Sequence, residues 1–61
     1  MNEFKHGDEV WVWDEDEIED AVTAIYIGES IEEGTEKPHI AQFESGEIYD
    51  WMFASFEKPT H

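Results

Sequence analysis

The stretch Gly7-Asp8-Glu9-Val10-Trp11-Val12-Trp13 decides the fold. Gly-Asp is a turn signal, and the run behind it is dense in β-formers. Side chains alternate across a strand, so Val10 and Val12 share one face and Trp11 and Trp13 share the other. Both faces are apolar, and each is therefore expected to be covered at least in part.

Outward from that strand the same grammar repeats. Residues 14–20 form an acidic loop with Ile18 as its one apolar residue. Residues 21–27 carry Val22, Thr23, Ile25, Tyr26 and Ile27. Ala21 and Ala24 leave helix possible there, but the β-branched and aromatic content favours a strand closed by Gly28. Residues 29–38 are a polar loop broken by Gly34 and Pro38. A third strand is expected over 39–43. Residues 44–47 then form a tight turn in which Gly46 supplies positive φ. A fourth strand is expected over 48–51. Residues 52–56 read as a helical turn or a short fifth strand, and 58–61 as a tail. Short strands at this spacing predict an all-β domain over residues 1–61, either a small five-stranded barrel or a strongly bent antiparallel sheet.

Three segments carry a family resemblance: Phe4-Lys5-His6-Gly7-Asp8-Glu9-Val10-Trp11-Val12, Ile25-Tyr26-Ile27-Gly28 and Tyr49-Asp50-Trp51-Met52-Phe53-Ala54. They resemble the SH3-like barrels, Tudor and KOW types included. More narrowly they resemble the small SH3-like proteins of bacteriophages and prophages, whose pattern spans residues 4–59. The resemblance implies a fold and a phage context, with the bacterial host cytoplasm as location. It implies no catalytic mechanism.

Charge points to the class of partner. The 61 residues hold 17 Asp and Glu against three Lys, for a formal net charge of −14. A compact chain of this length is about 27 Å across, which gives roughly one charge per 1.9 Å. Duplex DNA carries one per about 1.7 Å of axis. Such a molecule repels nucleic acid and anionic membrane and is drawn to basic protein surfaces. High net charge also argues for disorder, but three Trp, two Tyr and four Phe supply a core that disordered chains lack. The chain has no Cys, so it has neither a disulfide nor a thiolate metal site. Its first residues lack the basic and apolar regions of a signal peptide, and no apolar run reaches membrane-spanning length.

The candidate partner-binding residues are therefore acidic: Asp14, Glu15, Asp16, Glu17, Glu19 and Asp20 in the first loop, and Glu29, Glu32, Glu33 and Glu36 in the second. Glu44, Glu47 and Asp50 form a third group. Asp14 and Asp16 have the first two spacings of a calcium loop, but Ile18 and Glu19 stand where a ligand and the required Gly belong. His6, His39 and His61 lack ligand spacing, and the serines lack a nucleophile-elbow setting. No metal, cofactor or catalytic activity is expected. The leading expectation is a phage-encoded inhibitor that mimics nucleic-acid charge and blocks a host DNA- or RNA-processing or defence enzyme. The alternative is an adaptor that holds a basic or proline-rich peptide on an aromatic face of Trp11, Trp13, Tyr49 and Trp51.

Overall fold

A computed structural model describes residues 4–60. It contains β1 (Glu9–Trp13), β2 (Val22–Glu29), β3 (His39–Gln42), β4 (Ile48–Trp51) and β5 (Phe53–Ser55), with one 3-10 turn at Ile18–Asp20. The strands form one antiparallel sheet in the order β4-β3-β2-β1-β5. Within residues 52–56 the chain thus forms a short strand, Phe53–Ser55, pinned where Val12 pairs with Ala54 and Trp13 with Phe53.

The sheet is strongly bent and is not closed into a barrel. β4 and β5 are its two edges, and no ladder joins them among the described residues. Five flat strands would hold those edges about 19 Å apart, at roughly 4.8 Å per neighbour. Yet Trp51 ends β4 and Phe53 opens β5, with Met52 alone between them. Two peptide steps span at most about 7.6 Å. The sheet must coil until its edges meet at Met52, which gives a globule of 29 × 26 × 24 Å.

β2 runs two residues beyond its expected end. The register shifts between Tyr26 and Gly28, where the chain takes φ 156° at Gly28. A bulge of this kind bends the strand and keeps it paired, so Gly28 curves β2 and does not end it. The turn after β3 is as expected: Gly46 has φ 96°, and its N–H donates to the Phe43 carbonyl at 2.8 Å.

The core lies on the concave face and follows from register. Val10 faces Ala24, Tyr26 faces Ala41, and Val12 faces Ala54. Val10, Val12, Ala24, Tyr26 and Ala41 are buried, with Phe4, Phe43, Trp51 and Ala54 packed against them. The two buried alanines sit in strands despite their helical preference. Their small side chains leave room for the Tyr26 ring, the largest fully buried side chain. Phe4 packs on Tyr26 at 5.1 Å between centroids, and Phe43 meets Trp51 edge-on at 5.9 Å.

One polar pair is set into this core. The Tyr26 hydroxyl lies 3.1 Å from His39 Nδ1, and Phe4 packs edge-on against the same imidazole. Burial pushes the Tyr26 phenol above its ordinary pKa, with the Glu29 carboxylate adding to the rise. Burial also holds His39 below its ordinary value, against the opposing pull of Glu29. The folded chain therefore binds the imidazole proton less readily than the unfolded chain. The resulting stability is complete above the unfolded value, near 6.5, and is lost as pH falls through the lower folded value. Paired thermal melts should show the wild type losing stability relative to His39→Gln as pH drops from 7.5 toward 5.5, a difference separate from the relief of carboxylate repulsion that both proteins share. Parallel pH courses for the two proteins would take His39 out of the pH dependence.

Candidate protein-interaction surface

The coiling of the sheet builds the site. The start of β3, the end of β4, the start of β5 and the end of β1 converge around Met52, because His39 pairs with Trp51 and Phe53 with Trp13. The two long acidic loops leave from this corner. The first follows Trp13 and the second precedes His39.

Asp14 joins them. Its Oδ2 accepts from Lys37 Nζ at 3.2 Å, and its Oδ1 accepts from the Met52 backbone N–H at 3.2 Å. The Glu15 N–H donates to Met52 Sδ, also at 3.2 Å. Asp14 is half-buried and tied to two other segments, so its charge belongs to the framework more than to the outward field. The loop beyond it is ordered by successive turns. Glu17 N–H donates to the Asp14 carbonyl at 3.0 Å, Asp20 N–H to Glu17 at 2.9 Å, and Ala21 N–H to Ile18 at 3.3 Å. Asp16 takes positive φ, 61°, which Asp tolerates better than most residues. The second loop is closed at its base by Ser30 N–H donating to the Pro38 carbonyl at 2.7 Å.

Glu15, Asp16, Glu17, Glu19 and Asp20 are exposed in the first loop, as are Glu29, Glu32, Glu33 and Glu36 at the end of β2 and in the second loop. The third acidic group lies around the β3–β4 hairpin, whose turn is at the other end of β3. There the Glu47 carboxylate accepts from Tyr49 Oη at 2.6 Å and from Ser45 Oγ at 3.2 Å. That hydrogen bond, with the carboxylate's charge behind it, holds the Tyr49 phenol above its ordinary pKa. In all, fourteen of the sixteen described Asp and Glu residues are exposed, leaving Asp8 and Asp14 part-covered. Self-repulsion on this scale should make stability rise with salt, since charges screen within about 10 Å at 0.1 M. The melting temperature is expected to climb between 20 mM and 0.5 M NaCl. A flat or falling curve would show that the charges are already compensated.

The four candidate aromatics do not form one surface. Register carries the concave face from Val10 through Ala24, Tyr26 and Ala41 to Tyr49, and from His39 to Trp51. Tyr49 and Trp51 therefore belong to the core side, where both contact Phe43. The Trp51 indole N–H is buried there without a hydrogen-bond partner among the described residues. Trp11 and Trp13 face outward. Trp13 stacks on Phe53 at 5.7 Å, and Lys58 Nζ sits 5.7 Å above the Trp11 ring. Sequence reasoning missed Lys37, Lys58 and Phe53 as neighbours of candidate residues. The Lys-Pro tail offered a signal for Lys58 as a cation beside aromatics, and nothing local pointed to Lys37.

Among the described residues no three His, Cys, Asp or Glu side chains converge as a metal site requires, and no helix is long and apolar enough to cross a membrane. Comparison with protein-family models, curated proteins and solved structures finds no match to this chain.

Proposed function

We propose that this domain binds a basic cleft of another protein in place of nucleic acid. The observation that carries the reading is the density of outward carboxylates: fourteen exposed acidic residues among those described, on a body whose longest axis is 29 Å. The net charge of −14 over that axis is about one charge per 2.1 Å, against about 1.7 Å for duplex DNA. The two acidic loops clasped at Asp14–Lys37 supply an ordered part of this field. A basic cleft would capture the domain at a steered rate, and occupancy would exclude the polyanion. The phage resemblance of the sequence favours a host nuclease, restriction or CRISPR effector, or polymerase as the target. No chemistry by the domain itself is required.

The test is capture on immobilised domain from bacterial lysate, followed by elution with duplex DNA. Retained proteins should be released by DNA at constant salt and lost when the first loop is neutralised. Retention that DNA does not compete would overturn the reading.

A further inference from the structure

We propose that the outward face around Trp11 is a docking site for Lys or Arg side chains of the basic partner, and that Lys58 occupies it until the partner arrives. The inference rests on the proposed function and adds where the partner's cations are gripped. Trp11 is flanked in register by Ser55 on β5 and Thr23 on β2. Both neighbours are small, the indole is part-exposed, and Lys58 Nζ stands 5.7 Å above its ring. Trp13 instead has Phe53 stacked on it. Beside Trp11 lies an open hollow of about 270 Å³ lined by Glu9, Thr23, Ala24, Ile25, Gln42 and Glu44. It sets an apolar floor between two carboxylates, which suits an Arg or Lys whose aliphatic stem lies on Ile25 while its head meets Glu9 or Glu44.

Geometry and charge select the occupant. Glu9 and Trp11 point outward two residues apart, about 7 Å along the strand. An extended segment repeats its side chains at the same interval, so cations at alternate positions reach the ring and the carboxylate together. A second copy of this chain, a nucleic acid and an anionic membrane are all repelled by a net charge of −14. A basic segment is attracted. Lys58 is an exposed cation in the chain's tail, and its contact with the ring is one that a partner's cation would replace.

The probe is a labelled 12-residue peptide of alternating Arg and Ser, titrated at fixed ionic strength. Lys58→Gln should tighten binding about 2- to 5-fold, the range an exposed cation–π contact supports. Lys5→Gln changes net charge equally and should not match it. Trp11→Leu should weaken binding and erase the gain from Lys58→Gln. Equal effects of Lys58→Gln and Lys5→Gln would overturn the site, and that comparison does not depend on Trp11→Leu folding. Neutralising the first loop separates the two readings. If it abolishes binding while Lys58→Gln and Lys5→Gln behave alike, the charge field stands and this site falls. If Lys58→Gln alone tightens binding while the neutralised loop changes nothing, this site stands and the first loop falls as the polyanion surrogate.

Discussion

Tyr26→Ala should leave little or no folded protein at 25 °C in low salt. The side chain is 2 % exposed, the largest fully buried one. Its ring meets Phe4 and His39, and its strand position lies opposite Ala41. Truncating a buried aromatic costs about 3–5 kcal/mol. A 61-residue domain holds roughly 3–9 kcal/mol in total, at about 0.05–0.15 per residue. The loss therefore consumes most of the reserve, in a chain that charge repulsion already weakens. Tyr26→Phe should cost only about 1 kcal/mol, the typical net value of the hydrogen bond to His39. Val10→Ala and Trp51→Ala, both on the concave face, should cost about 2–5 kcal/mol each. Trp11→Ala should cost clearly less, since Trp11 lies on the face opposite the core cluster, beside the small Ser55 and Thr23. Urea titrations followed by circular dichroism read these five variants and Trp13→Ala. A wild-type midpoint for Tyr26→Ala would remove it from the centre of the core. If Trp11→Ala and Trp13→Ala both unfolded the chain, the outward face would be structural.

The strands were legible where alternation and turn chemistry agreed. β1 and β4 have their expected bounds because Gly7-Asp8 and Gly46 punctuate them and their residues favour extended chain. Alternation also separated the valines of β1 from its tryptophans. The end of β2 was less legible. Gly28 breaks a strand or bends one, and which it does depends on whether β3 continues to pair with Glu29. Residues 53–55 are too few for a local pattern, and pairing with β1 decides them.

The acidic field was legible as a count, since little in so short a chain can bury seventeen carboxylates. Its framework was not. Asp14 and Lys37 are 23 positions apart and meet because the coil brings both loops to Met52. The aromatic face failed for a similar reason. That Tyr49 and Trp51 share a side follows from local alternation. Which side they share depends on a parity carried through three ladders, from Val10↔Ala24 to Tyr26↔Ala41 to Ala41↔Tyr49. One slip in any ladder would have put all four aromatics together.

Neutralising Glu15, Asp16, Glu17 and Asp20 together should slow association with a basic nucleic-acid enzyme by at least about tenfold, within the range electrostatic steering provides. Asp14 is left intact because its bonds to Lys37 and Met52 hold the two loops together. Asp16→Asn is suitable at φ 61°, since Asn also visits that conformation. The four carboxylates lie in one short ordered loop, so their fields overlap within a Debye length. Removing any one should change the rate little, and removing four takes the net charge from −14 to −10. The fold should hold or gain stability as repulsion falls. Salt should slow association of the wild type steeply and of the variant less so, while raising the melting temperature of both. These opposite trends distinguish a binding field from a general salt effect on folding. Stopped-flow association rates at 50 and 300 mM NaCl, paired with melts, read both. If the fourfold variant associates and competes with DNA as well as the wild type, the first loop is not the polyanion surrogate. The acidic groups at Glu29–Glu36 and around the hairpin, or the outward face at Trp11, would then have to carry the interaction.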